Sequence, residues 1–117
     1  MYKILYIINM KKIRFVGSSL EDIKKFPEQA KKRAGYQLLK IQKGELPSDW
    51  KPMKGIGPGV KEIRIHLNNE YRIFYVATFP EAVYVLHAFH KKTQKTRKAD
   101  LDIAARRLKE ISGKQGR

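Results

Sequence analysis

Two groups of residues in this sequence have the types and spacing to hold an anion. Arg64, His66 and Arg72 fall in two strand-like runs, residues 60–67 and 71–78, where alternation of side chains puts them on one face. The segment His90-Lys91-Lys92-Thr93-Gln94-Lys95-Thr96-Arg97-Lys98 contains no acid and alternates cations with Thr and Gln. Cations neutralise phosphate, while hydroxyl and amide groups hydrogen-bond to phosphate and ribose. Three histidines, His66, His87 and His90, have no carboxylate cluster near them at ligand spacing, so neither a metal nor another cofactor is expected. His87 stands among apolar neighbours within residues 83–89 and reads as a packed, hydrogen-bonded core residue.

The first two strands require a turn, and the pattern of apolar residues restricts it. A three-residue loop, Asn68-Asn69-Glu70, pairs Leu67 with Tyr71, Ile65 with Ile73 and Ile63 with Tyr75. Those six apolar residues then share the face that packs on helices. The same register sets His66 opposite Arg72 and Arg64 opposite Phe74 on the other face. A two-residue loop would mix the faces and bury Arg72, so the longer loop is expected. Arg64, His66 and Arg72 become one cluster, in which like charges repel unless an anion lies between them. The plainer alternative is a salt bridge from Arg64 to Glu62 or Glu70, a contact of little energetic value if exposed.

The whole chain is biased towards an anionic partner. Its 117 residues carry 26 Lys and Arg against 11 Asp and Glu, a formal charge of +15, which destabilises the compact state by self-repulsion. Hydrophobic residues make up 42%, too many for a disordered basic tail. Nucleic acid is the first candidate partner, with an acidic protein and a membrane surface behind it. Cysteine is absent, which removes disulfide and thiolate chemistry. The apolar opening Tyr2-Lys3-Ile4-Leu5-Tyr6-Ile7-Ile8 lacks a small-residue cleavage site and runs into Lys11-Lys12, which argues against a secretion signal. With no run near the roughly 20 residues of a spanning helix, a cytoplasmic location and no membrane partner are expected.

The elements that must position these groups make an α+β fold in one domain, residues 1–117. Strand-like runs cover residues 2–8 and 13–16. Met10 before Lys-Lys resembles a second start, which makes residues 1–9 a candidate N-terminal extension. Ser18-Ser19 ahead of Glu21-Asp22 predicts an N-cap and a helix over 20–26. A second helix over 27–43 is led by Pro27 and stopped by Gly44, with Ala30, Ala34, Leu38 and Ile41 on its core face. Residues 46–59 are rich in Pro and Gly and are expected to be loop, with Trp50 as a lid on the core. Strands over 60–67, 71–78 and 83–89 follow. A closing helix spans 100–111, with Leu101, Ala104, Ala105, Leu108 and Ile111 inward, and residues 112–117 form a frayed tail.

This order of elements, with "KEIRI", "EYRIFYV" and "LHAFHKKTQKT" at Lys61, Glu70 and Leu86 and Ala105-Arg106-Arg107 in the closing helix, resembles the RelE/ParE superfamily of toxin–antitoxin toxins. It looks most like the phage-derived HigB-like branch, over residues 12–111. The resemblance implies a short twisted antiparallel sheet with two N-terminal helices and a C-terminal helix, the helices against one face and a basic concave surface on the other. It also implies a translation inhibitor that enters the ribosomal A site and cuts mRNA without a metal, silenced by an acidic, usually helix-turn-helix antitoxin. Arg64 and Arg72 match the family's basic strand positions, and Lys91, Lys92 and Lys95 its basic motif after the last strand. The best-studied RelE toxins have a tyrosine near the closing helix, where this chain reads Thr96-Arg97-Lys98.

Metal-free RNA cleavage needs the ribose 2′-OH deprotonated, the phosphorane charge stabilised and the 5′-oxygen protonated. Arg64 and Arg72 suit the phosphate, since a guanidinium binds an oxyanion bidentately. Lys91, Lys92 and Lys95 are candidate bases because neighbouring cations ease loss of an ammonium proton, and His66 and His90 are the alternatives. Two other activities fit the same residues: gyrase inhibition in the manner of ParE, and RNA or DNA binding without chemistry.

Overall fold

Alternating apolar residues on the central strands leave one face of the sheet largely apolar, and the rest of the chain is arranged around that face. The computed structural model describes residues 10–115, so the run over 2–8 and the proposed extension 1–9 lie outside the described residues. The strands are β1 (Lys12–Phe15), β2 (Trp50–Pro52), β3 (Val60–His66), β4 (Glu70–Val76) and β5 (Ala82–Lys91). The helices are α1 (Ser19–Lys24), α2 (Glu28–Gln42) and α3 (Lys98–Gln115). The sheet order is β1-β5-β4-β3-β2. Every neighbouring pair is antiparallel except β1 with β5, which is parallel, so the expected antiparallel sheet has one parallel edge.

On one face Ile63, Ile65, Tyr71, Ile73, Tyr75, Val83 and Val85 pack against Ile23 and Phe26 and against Ala30, Ala34, Leu38 and Ile41 of α2. The three- and four-residue spacing along α2 puts its four apolar residues on the side that meets the sheet. The helix ends where Gly44 takes φ 88°, and the Gly44 and Glu45 N–H groups donate to the Ile41 and Lys40 carbonyls. Ser18 does not cap α1 through its side chain; its hydroxyl donates instead to Asp22 Oδ2 at 2.8 Å.

The opposite face is not left open along its whole length, contrary to the expected single helical layer. Val60, Phe74, Val76, Tyr84, Leu86 and Phe89 form a second apolar cluster there with Ala104 and Ile111 of α3, flanked by Leu101 and Leu108. Once α3 is anchored by these contacts its hydrogen bonding propagates through Ser112 and Gly113 to Gln115, beyond the expected end at residue 111. Among the described residues no helix is long and apolar enough to cross a membrane.

Three local expectations are corrected. The β3–β4 pairing is Ile65 with Tyr71, Ile63 with Ile73, Arg64 with Arg72 and His66 with Glu70, two residues from the predicted register. The turn keeps three residues but uses Leu67-Asn68-Asn69. An even slip keeps every side chain on its face, so the apolar pattern cannot tell the two registers apart. The segment 46–59 contains β2, an edge strand that tolerates Pro52 because only one of its sides pairs. Trp50 sits at this edge rather than lidding the core, with the Lys61 ammonium 5.6 Å from its ring centre. Finally, β5 extends to Lys91, so His90 and Lys91 are strand residues.

Candidate functional site

The registers of β3, β4 and β5 arrange the α3 face of the sheet in rows. Val60, Val76 and Tyr84 make the first, Glu62, Phe74 and His87 the second, Arg64, Arg72 and Phe89 the third, and His66, Glu70 and Lys91 the fourth. A bulge between Phe74 and Tyr75 brings His87, Phe89 and Lys91 onto this face beyond Tyr84. Helix α3 covers the apolar end, leaving the last two rows as a charged patch at the other.

Within that patch each charge has a partner from the chain itself. Arg64 donates from Nε to Glu62 Oε1 at 3.1 Å. The Glu62 side chain is 3% exposed, while Arg64 is 33% exposed. Arg72, 6% exposed, donates from one terminal nitrogen to Glu70 Oε1 at 2.9 Å and to the Tyr71 carbonyl at 3.2 Å. Its Nε lies 3.8 Å from Glu62 Oε2 and is buried without a hydrogen bond. His66 is flanked on both sides, with Nδ1 2.6 Å from Glu70 Oε1 and Nε2 2.6 Å from Asp49 Oδ2. Asp49 is brought there by β2, since its carbonyl accepts the Arg64 N–H. Burial is the largest single influence on the Glu70 carboxyl and raises it, but hydrogen bonds and charge from Arg72 and His66 together outweigh it and hold the group below the usual carboxylate range.

The predicted cluster of Arg64, His66 and Arg72 therefore comes together, with three carboxylates, Asp49, Glu62 and Glu70, among its cations. Glu62 and Glu70 were visible as possible salt-bridge partners; Asp49 was not, because the segment holding it read as loop. The two arginines differ in availability. Arg64 commits only Nε, and its terminal nitrogens have no partner among the described residues. Arg72, beside it on β4, is buried and commits a terminal nitrogen to Glu70.

The basic segment divides between strand and loop. Lys91 closes the fourth row and donates to the Gln94 carbonyl at 2.6 Å. Lys92 and Lys95 are exposed in the loop that follows. His90 points to the other face, its ring stacked on Tyr71 at 4.9 Å, so it does not join the cluster. His87 is buried and meets Asp100 Oδ1 through Nε2 at 2.7 Å, as a packed core histidine should. Among the described residues no three His, Asp or Glu side chains form a group that could hold a metal ion.

A comparison with protein-family models matches residues 21–109 to the phage-derived protein Gp49-like family (DUF891). The chain belongs to this family. Gp49-like proteins fall within the RelE/ParE-like toxin superfamily, in agreement with the resemblance seen in the sequence. No curated protein matches the chain. The span of this Gp49-like chain that matches includes Asp49, Glu62, Arg64, His66, Glu70 and Arg72 and the whole basic segment.

Proposed function

We propose that this Gp49-like chain is a HigB-like toxin that cuts mRNA on the ribosome, held in check by an acidic antitoxin. The observation that carries this reading is Arg64: a guanidinium held through Nε, its terminal fork of nitrogens without a partner among the described residues, on the same sheet face as Lys91 at the start of the basic segment. A fork of that kind binds a phosphate through two parallel hydrogen bonds. Lys91 stands in the next row two strands away, about 12 Å by ordinary strand and residue spacing, a span that a nucleotide can bridge.

In the proposed step the ribose 2′-oxygen attacks phosphorus and the bond from phosphorus to the 5′-oxygen breaks. The products are a 2′,3′-cyclic phosphate and a free 5′-hydroxyl. Arg64 stabilises the negative charge gathered on the phosphorane, with Arg72 adding positive potential from the neighbouring strand. Of Lys91, Lys92 and Lys95, Lys91 stands in the rows of the patch and takes the 2′ proton, while Lys92 and Lys95 in the exposed loop hold neighbouring phosphates. His66 supplies the proton to the 5′-oxygen. A carboxylate accepts hydrogen bonds and cannot give them, so both contacts of His66 are hydrogen bonds only in the imidazolium form, the form able to donate.

The test is incubation of the purified chain with programmed ribosomes and mapping of mRNA ends by primer extension. Cuts at the A-site codon, absent from ribosome-free RNA, are the expected result. Intact mRNA together with arrested gyrase would instead establish ParE-like inhibition, and binding without cutting would establish a passive module.

A further inference from the structure

We infer that Glu62 is the positioning residue of the phosphate clamp, acting through Arg64; the inference rests on the nuclease reading above. A carboxylate on a β-strand with a side chain only 3% exposed is costly unless cations satisfy it. Glu62 has two, Arg64 at Oε1 and Arg72 at Oε2, so one buried carboxylate lies against both guanidinium Nε atoms of the third row. It occupies the second row next to Phe74, at the border between the apolar cluster under α3 and the exposed charged rows. From there it can hold Arg64 without competing for the surface where RNA would lie.

The atoms used are the telling detail. A carboxylate that took both terminal nitrogens of Arg64 would block the fork a phosphate needs. Glu62 takes Nε alone, holding the side chain while leaving the terminal nitrogens without a partner among the described residues. Glu70 does the reverse to Arg72, taking a terminal nitrogen. Arg64 is thereby a preorganised oxyanion donor, and Arg72 is a buried support whose charge Glu62 and Glu70 balance.

The experiment is a double-mutant cycle of Glu62→Gln and Arg64→Ala, read by single-turnover cutting on programmed ribosomes with affinity measured in parallel. Misplacing a positioned group by about 1 Å costs on the order of 100-fold in rate. Glu62→Gln should therefore slow cutting by ~10- to 100-fold with ribosome affinity within about twofold, and should add nothing once Arg64 is alanine. Equal slowing in both backgrounds would overturn the assignment, because a general structural defect adds to the loss of Arg64.

Arg64→Lys covers the case in which Glu62→Gln does not fold. It keeps the charge at a one-third-exposed site but lacks the Nε–H and the fork, so it should fold and still cut poorly; wild-type cutting by it overturns the proposal. The Arg64 Nε–H signal in nuclear magnetic resonance gives a readout on the free protein. It should exchange slowly with water in the wild type and rapidly in Glu62→Gln. If the wild-type chain cuts nothing, the nuclease reading and the role of Glu62 fall together. If it cuts and the cycle is additive, only the role of Glu62 falls.

Discussion

Arg64 and Arg72 face each other directly across the β3–β4 pair, two cations at adjacent positions on one face of the sheet. Like charges so placed destabilise a strand pair unless something neutralises them. Glu62 and Glu70 do so, and the more buried half of the network, Arg72 with Glu62, depends on it most. Removing one partner of a buried ion pair costs about 3–5 kcal/mol, because the other charge is left buried without compensation. Glu62→Ala and Arg72→Ala should each show a loss of that size in urea unfolding. Arg64→Ala should cost less than either, since its own side chain is one-third exposed and Arg72 still faces the Glu62 carboxylate. A full loss of stability in Arg64→Ala would mean that Arg64, too, is chiefly structural.

The same asymmetry separates the clamp from the surrounding basic residues. Removing a preorganised oxyanion donor costs about 100- to 1000-fold in rate. Arg64→Ala should therefore nearly abolish single-turnover cutting while ribosome binding stays near wild type. Lys92→Ala, in the exposed loop, should instead weaken binding and make its salt dependence shallower by about 0.7, the value for one lost phosphate contact on single-stranded RNA. Cutting at saturation should survive in that variant. Arg64→Ala cutting at the wild-type rate would remove the sheet patch from the reaction.

Why the sequence revealed some of this and not the rest follows from particular residues. Ile63, Ile65, Ile73 and Tyr75 alternate cleanly, so the faces of the hairpin, and hence the company of Arg64, His66 and Arg72, were legible. Their exact partners were not, because a slip of two residues leaves that alternation intact and only tertiary contacts choose between registers. Asp49 and Trp50 escaped because a three-residue edge strand beside Pro52 has too few residues for any period to show. The covering of the second face by α3 was also hidden: Leu101, Ala104, Leu108 and Ile111 announce an inward side, but local spacing does not say which side of the sheet receives it. Similarly, His90 and Lys91 read as the start of a loop because what keeps them in β5 is their pairing with Tyr71 and Glu70, a long-range contact with no local signature.

Glu70 provides a test by acidity. Its folded-state carboxyl is held below the ordinary range by Arg72 and His66, against a smaller-than-compensating effect of burial. A group depressed in the folded state contributes stability above its unfolded value, about 4.3 for Glu, and loses that contribution as pH falls through the folded value. Glu70→Gln should thus be less stable than wild type near neutrality, with the gap closing below about pH 4. Thermal unfolding of both proteins from pH 3 to pH 7 checks this. A gap that stays constant across that range would show that the Glu70 interactions are not linked to its ionisation.

His66 and His90 were equal candidates for proton transfer in the sequence, and their faces now distinguish them. His90 stacks on Tyr71 on the side of the sheet that carries α1 and α2, whereas His66 stands in the row beside Arg64 with a carboxylate at each ring nitrogen. Only the second arrangement puts a proton donor on the face where Arg64 presents its fork. General acid–base catalysis typically contributes about 100- to 10,000-fold, so His66→Ala should lower single-turnover cutting by at least about 100-fold. His90→Ala should retain cutting near wild type, with any loss confined to stability through the Tyr71 stack. The comparison is made at saturating ribosomes, so that binding changes do not enter. Because Asp49 and Glu70 both hold the ring, His66→Gln is the informative companion: it keeps a hydrogen-bonding side chain but cannot transfer a proton at neutral pH. If His66→Gln cuts as fast as wild type, His66 serves the network and not the reaction. If His90→Ala is the variant that fails, the reacting phosphate lies on the other side of the sheet.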